Sequence, residues 1–195
     1  MKKRTVPLSQ EVILEVHLSL ISNCITPDCL NFRALARQLG CAHQSLYRYF
    51  PSYNHLQQAT RLKIMALIES TLAYGDSIVS FSAQLVDFAL DHPKWYVYLW
   101  TLDETDNISH MMREAFAGRP RPELMPLEPF LATDGQSLCE NQARHFLMIT
   151  HTYLHGALIQ FISGRHSHTD PQLFKSEVLA HIATLLQWAC KLKKK

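Results

Sequence analysis

Apolar residues recur along almost the whole chain at the three- and four-residue spacing of a helix face. A first helix is predicted to begin after Ser9, which can cap it, with an apolar stripe at Ile13, Val16, Leu20 and Cys24. No segment alternates apolar and polar residues long enough to predict a sheet, and the chain contains only six glycines. The pattern therefore predicts an all-α protein.

The other helices are predicted from the same spacing and from the residues that interrupt it. Asn31 is the expected cap of a short second helix, which ends at Gly40. A third helix begins near Ala42 and is stopped by Pro51 and Ser52. Further helices are predicted over residues 54–74, 76–91, 93–102, 109–116, 137–163 and 171–191, and a loop or broken helix over the proline-rich stretch 118–136.

The stretch NFRALARQLGCAHQSLYRYF, residues 31–50, has the form of two short helices joined by a tight turn. Gly40 can adopt the positive φ that such a turn needs, and Cys41 can fill an apolar position beneath it. Five apolar side chains are expected to hold the two helices together at a steep angle: Leu35, Ala36, Leu39, Leu46 and Phe50. This arrangement is typical of a helix-turn-helix that enters the major groove of DNA.

Together with its continuation LYRYFPSYNHL, this stretch resembles the TetR family of bacterial transcriptional regulators. The positions that match the family's pattern are Leu35, Ala36, Gly40, Leu46, Tyr47, Tyr49, Phe50 and Leu56. The resemblance implies a helix-turn-helix DNA-binding domain over residues 1–53, a connecting helix over 54–75, and a ligand-binding and dimerisation domain over 76–195. It also implies a repressor that binds a palindromic operator as a homodimer and responds to a small-molecule effector.

Roles in DNA binding follow from side-chain chemistry at the matched positions. The residues expected to read base edges are His43, Gln44, Ser45 and Arg48. The residues expected to contact phosphates are Asn31, Arg33, Tyr47, Tyr49 and Tyr53, with Lys2, Lys3 and Arg4 from an N-terminal arm. Tyr49 also suits a packed core position. Tyr53 stands where the family commonly has lysine, so the salt-dependent part of phosphate binding should be weaker there.

The charge distribution also places the DNA-binding end of the chain at its N-terminus. The net charge of +2 conceals a balance of +5 over residues 1–63 and −7 over residues 64–190, and four lysines lie among the last five residues. A basic head on an acidic body is expected when one end of a protein meets a polyanion.

The second half of the chain resembles one branch of TetR-like C-terminal domains, through DFALDHPKWYVYLW (residues 87–100) and HGALIQFISGR (residues 155–165). His151 stands where that branch has tryptophan. The residues expected to line an effector site, whose aromatic walls favour an apolar or aromatic molecule, are Phe88, His92, Trp95, Tyr96, Tyr98, Trp100, His151, Tyr153 and His155. The residues expected at a twofold interface are Phe146, Leu154, Leu158, Phe161, Val178, Ile182, Leu185 and Leu186.

Two other classes of function remain open from the residues. A metal-dependent enzyme could use His151 and His155, one helical turn apart, with Asp103 or Glu104, although no catalytic motif accompanies them. A helical adaptor that binds only protein is the second alternative. The leading expectation includes no enzyme activity, no metal and no cofactor.

The chain contains no apolar run of membrane-spanning length and no signal peptide, so we expect a cytoplasmic, nucleoid-associated bacterial protein without membrane contact. Its five cysteines include no CxxC pair, which favours free thiols in a reducing compartment and leaves open a redox pair of Cys24 and Cys29.

Overall fold

The computed structural model describes residues 7–24, 30–71, 78–100, 140–167 and 169–191, and all regular elements in these ranges are helices. In chain order they are α1 (Gln10–Asn23), α2 (Phe32–Leu39), a 3₁₀ helix (His43–Arg48), α3 (Tyr53–Thr71), α4 (Ile78–Asp91), α5 (Pro93–Trp100), α6 (Glu140–Ile162) and α7 (Pro171–Lys191). The all-α prediction is confirmed. The helix predicted over 109–116 and the loop predicted over 118–136 lie outside the described residues.

The first two helices begin at the predicted caps. The Ser9 hydroxyl accepts a hydrogen bond from the Val12 amide at 3.2 Å, and Asn31 Oδ1 accepts one from the Ala34 amide at 3.0 Å. Each side chain thereby satisfies an amide that the first helical turn leaves without a backbone partner.

Gly40 ends α2 in the left-handed conformation, with φ of 64°. Its amide donates to the Arg37 carbonyl at 3.2 Å, and the Cys41 amide donates to the Ala36 carbonyl at 3.0 Å. This pair of bonds is the usual way of closing a helix on glycine. The predicted turn is therefore confirmed.

The second helix of the predicted pair is a 3₁₀ helix over His43–Arg48, where the sequence predicted an α-helix. Ala42 stands at its N-cap and has no side-chain atom that can accept a hydrogen bond. The Ser45 amide donates to the Ala42 carbonyl at 2.9 Å, which is the three-residue spacing of 3₁₀ geometry. This segment is short and uncapped, so contacts with the rest of the protein must hold it in place.

The buried face of α1 differs from the predicted stripe. Ile13 is buried as predicted, but Val16, Leu20 and Cys24 are only half-buried. The other fully buried positions are His17, Leu18 and Ile21. A histidine therefore occupies the centre of the face that hydrophobic spacing assigned to aliphatic residues.

The described residues separate into two compact units. The head unit contains the described residues up to 67 together with 94–100. The body unit contains 68–71, 78–93 and the described residues from 140 onwards. Most of α3, as well as α5, thus packs with the N-terminal helices, whereas the sequence placed the end of the DNA-binding domain at residue 53.

Each unit has its own apolar core. Buried residues of the head core are Ile13, Phe32, Leu35, Ala36, Leu39, Leu46, Phe50 and Leu56. Buried residues of the body include Leu85, Val86, Phe88 and Ala89 of α4, Phe146, Leu154 and Leu158 of α6, and Phe174, Val178 and Ile182 of α7. An ion pair between Lys175 and Asp87, 2.6 Å apart, also links α7 to α4. Among the described helices, none has the length and apolar character needed to span a bilayer.

Candidate nucleic-acid interface

The 3₁₀ helix, called here the reading segment (His43–Arg48), is anchored in the head core from one side. Leu46 is completely buried, whereas Gln44 and Arg48 are exposed. Glutamine can pair with the edge of adenine through two hydrogen bonds, and arginine can do the same with guanine. His43 and Ser45 are half-buried beside them. The segment thus displays two side chains suited to base recognition from a fixed backbone.

Tyr47 stands at the edge of this surface and is 51 % exposed. Its ring meets Phe32 edge-to-face, with 5.0 Å between ring centroids. Arg33, on the first turn of α2, is exposed, as a phosphate contact requires. Asn31 is exposed too, although its side-chain oxygen Oδ1 already accepts the hydrogen bond that caps α2. Lys2, Lys3 and Arg4 lie outside the described residues.

Two tyrosines expected at phosphates have their hydroxyl groups bonded inside the head unit. The Tyr49 hydroxyl donates to the Leu8 carbonyl at 2.7 Å, and its ring packs on the core. The Tyr53 hydroxyl lies 2.9 Å from His17 Nε2. Because each hydroxyl already has an internal partner, we assign Tyr49 and Tyr53 structural roles and omit them from the proposed interface.

His17 is the residue of this region that sequence reasoning missed. It is fully buried, with Nδ1 2.8 Å from Thr60 Oγ1 and Nε2 2.9 Å from the Tyr53 hydroxyl. Burial lowers the pKa of His17 to about 4, because the charged imidazolium would lose its hydration. Burial also raises the pKa of the Tyr53 hydroxyl. Both groups are therefore neutral near pH 7.

The aromatic set expected around an effector is divided between the two units. Four of its members belong to α5 in the head unit: Trp95, Tyr96, Tyr98 and Trp100. Trp95 Nε1 donates to the Leu18 carbonyl of α1 at 3.0 Å, and the Lys94 ammonium donates to the Cys24 carbonyl at 2.9 Å. Tyr96 is completely buried. The α5 rings thus help to build the head.

The remaining five members lie in the body unit. Phe88 is buried and contacts the ring of His92, with 5.1 Å between centroids. His151 and His155 are in edge contact at 4.3 Å. Burial, and secondarily the neighbouring charge of His151, lowers the pKa of His155 to about 3. The fifth member, Tyr153, has its hydroxyl 2.6 Å from Nδ1 of His181 on α7.

His151 and His155 have no third metal-ligating side chain close to them within the described ranges. In those ranges no group of three or more His, Cys, Asp or Glu side chains could hold a metal ion. Asp103, Glu104 and Cys29, which the alternative readings invoked, lie outside those ranges.

No protein-family model matches the sequence, and a search of curated proteins also found no match. Solved structures do match the fold. A TetR-family transcriptional regulator from Streptomyces coelicolor is 15% identical, with a TM-score of 0.64, over 94% of this chain and 82% of that chain. A TetR transcriptional regulator from Rhodococcus sp. RHA1 is 18% identical, with a TM-score of 0.59, over 91% of this chain and 95% of that chain.

This chain has the TetR fold. A TetR variant from Acinetobacter baumannii AYE, solved in complex with minocycline, is also similar, at 16% identity and a TM-score of 0.58, over 94% of this chain and 99% of that chain. The reading segment is the second helix of the helix-turn-helix that the sequence pattern predicted over residues 31–50.

Within this TetR fold, most residues expected at a twofold interface belong to the core of the body unit. Phe146, Leu154, Leu158, Val178 and Ile182 are buried by contacts within the chain, which leaves them no surface for a partner. Phe161, Leu185 and Leu186 are half-buried. Exposed apolar and small side chains among the described residues of the same helices include Met148, Ile149, Thr152 and Gly156 of α6 and Leu173, Ala180, Thr184 and Trp188 of α7.

Proposed function

We propose that this protein is a DNA-binding transcriptional regulator of the TetR type. It binds a palindromic operator as a homodimer and acts as a repressor that a small-molecule effector releases. The observation that carries the proposal is the reading segment, in which buried Leu46 holds the backbone while Gln44 and Arg48 face solvent. The fold of the similar regulators supports the same function.

In this proposal Gln44 and Arg48 are the principal base-reading residues, with His43 and Ser45 beside them. Arg33 and Tyr47 contact phosphates, and the basic residues Lys2, Lys3 and Arg4 add contacts from the N-terminus. Phosphate contacts fix the register of the protein on DNA, whereas base contacts specify the sequence.

The test uses duplexes that the protein enriches from a random pool. Gln44→Ala and Arg48→Ala should each weaken binding to the enriched duplex by about 1–3 kcal/mol, while non-specific binding changes less. Arg165→Ala, an exposed arginine of the body unit, is the matched control and should bind normally. Unchanged DNA binding in both head variants would contradict base recognition by the reading segment, and failure of the wild-type protein to enrich any duplex would favour the protein-binding adaptor.

The proposed twofold interface is the exposed face of α6 and α7. Trp188 is 65 % exposed and Ile149 is 50 % exposed, and with the exposed Met148 and Leu173 they give these two helices several large apolar side chains at the surface, as a protein–protein interface does. The small residues Thr152, Gly156 and Thr184 would let two such faces approach closely. Trp188→Ser and Ile149→Ser should therefore shift the protein from dimer to monomer in sedimentation equilibrium.

A matched control for the interface is Leu62→Ser, because Leu62 is an exposed apolar residue of α3, 41 % accessible and far from the helices concerned in sequence. It should leave the dimer intact. A monomeric wild-type protein at micromolar concentration, with or without DNA, would contradict the homodimer.

The proposed effector is a small apolar or aromatic molecule that binds the body unit. Five of the residues expected at an effector site lie in that unit: Phe88, His92, His151, Tyr153 and His155. Thr150, the sequence neighbour of His151, has a buried hydroxyl without a hydrogen-bond partner among the described residues. One similar protein was solved with a small molecule, minocycline. A compound screen for release of the enriched duplex tests this point, and Phe88→Ala should weaken the response to any compound found.

A further inference from the structure

Six rings of the head unit form an unbroken series of edge-to-face contacts, called here the aromatic column. From the reading segment inwards its members are His43, Tyr47, Phe32, Tyr53, His17 and Tyr98. The successive centroid separations are 6.5, 5.0, 5.5, 5.6 and 6.0 Å. Such T-shaped contacts place the positive edge of one ring on the negative face of the next. The column thus connects the reading segment to α5 through α2, α3 and α1.

The inner part of the column is fixed by hydrogen bonds whose direction can be deduced. The Thr60 hydroxyl donates its single proton to the Leu56 carbonyl at 2.7 Å, so towards His17 it can only accept. His17 must therefore carry its proton on Nδ1, which leaves Nε2 to accept from the Tyr53 hydroxyl. The column includes a directed chain of bonds from Tyr53 through His17 to Thr60, which holds α3 against α1.

The two ends of the column differ in their surroundings. Tyr47 is half exposed at the surface of the reading segment, whereas His17 and Tyr98 are buried. The Arg61 guanidinium lies over the Tyr98 ring, 5.7 Å from its centroid. The inner end is therefore rigidly packed, and the outer end lies among the side chains proposed to meet DNA.

We propose that the aromatic column positions the reading segment for DNA, with His17 and Tyr53 as positioning residues that never touch the nucleic acid. This inference rests on the proposed DNA-binding function. The reading segment is uncapped and only six residues long, so its own hydrogen bonds constrain it weakly. Phe32 supplies the missing constraint, because its ring contacts Tyr47 on one side and the hydrogen-bonded Tyr53 on the other.

The first test is made on the free protein by NMR. Wild-type His17 should be protonated on Nδ1 alone and remain so from pH 8 to pH 6. Thr60→Val removes the acceptor for that proton and should shift the ring resonances of Tyr47, three ring contacts away from His17 along the column. Thr60→Ser retains the hydroxyl and should restore the wild-type resonances.

Thr71→Val is the matched control, because among the described residues the Thr71 hydroxyl on the same helix donates to the Ile68 carbonyl and does not contact the column. It should leave Tyr47 unchanged. Protonation of wild-type His17 on Nε2 would overturn the inference whether or not Thr60→Val folds. So would a Tyr47 spectrum that is the same in folded Thr60→Val and Thr60→Ser.

The second test uses the duplex enriched by the wild-type protein. Thr60→Val should raise the dissociation constant about tenfold, which is the effect of losing about one hydrogen bond to DNA when the reading segment is displaced, with Thr60→Ser near wild type. The salt dependence of binding should not change, because Thr60→Val removes no lysine or arginine and the displaced Tyr47 carries no charge. Equal affinities of the Val and Ser variants would refute positioning by the column. Failure of the wild-type protein to bind any DNA would refute the proposed function instead and would leave the NMR result standing.

Discussion

The stability of the protein should depend on pH through His17, and the size of this effect follows from its burial. The pKa of His17 falls from the ordinary value of 6.5 to about 4 in the folded protein. Between these values the unfolded chain binds a proton that the folded protein does not bind. The contribution of His17 to the free energy of unfolding should therefore decrease as the pH falls from 6.5 to 4, at about 1.4 kcal/mol per pH unit, for a total of about 3 kcal/mol.

The variant that isolates this contribution is His17→Gln. Glutamine does not titrate, yet its amide offers both a donor for Thr60 and an acceptor for the Tyr53 hydroxyl. Urea unfolding of both proteins at pH 7.5, 6.5, 5.5 and 4.5 gives the dependence directly. The difference between wild type and variant should be constant above pH 6.5 and should shift in favour of the variant below it. Parallel curves across the whole range would refute the neutral, buried state of His17.

Two other predictions concern single positions whose role the structure defines. Gly40→Ala should lower the free energy of unfolding by about 1–2 kcal/mol, because a φ of 64° is unfavourable for alanine. The loss should not be larger, because no atom is close enough to clash with the added methyl group. Gly40→Asn should lower the free energy of unfolding by less. Equal losses for the Ala and Asn variants in urea unfolding would argue against a left-handed turn at this position. Leu158→Ala should cost about 2–5 kcal/mol, because Leu158 is completely buried in the body core. A loss below 1 kcal/mol, together with a monomeric protein, would instead place Leu158 at the twofold interface.

Local signals in the sequence were sufficient to predict where α1 and α2 of the head begin and the turn at Gly40. Ser9, Asn31 and Gly40 act within one helical turn of their own positions, so their effects on the backbone can be deduced without knowledge of the tertiary structure. The inward positions Leu35 and Leu46 follow from spacing in the same way.

The roles of His17, Tyr49 and Tyr53 could not be predicted from local signals. His17 lies 43 residues from Thr60 and 36 residues from Tyr53, and only the tertiary fold brings the three side chains together. A tyrosine hydroxyl can bond a phosphate or a buried histidine equally well, and spacing does not distinguish these partners. The phosphate roles of Tyr49 and Tyr53 were predicted from the hydrogen-bonding capacity of their hydroxyl groups. In the structure those hydroxyl groups bond to Leu8 and His17 instead.

The proposed twofold interface illustrates a different ambiguity. Hydrophobic spacing on α6 and α7 identifies residues that avoid water, but it does not say whether the chain itself or a partner covers them. Leu158 and Ile182 are covered by the chain, whereas Ile149 and Trp188 are not. Only the packing of α4, α6 and α7 separates the two sets.

The most direct test of the central claim is selection of bound duplexes from a random DNA pool by the full-length protein at moderate salt. A twofold regulator with one reading segment per protomer should enrich a palindrome whose half-sites are centred about 10–10.5 base pairs, or a multiple of this, apart. Enrichment of that palindrome should be much weaker with the Arg48→Ala variant. A wild-type pool that remains random in sequence would contradict the assignment of this protein as a sequence-specific DNA-binding regulator.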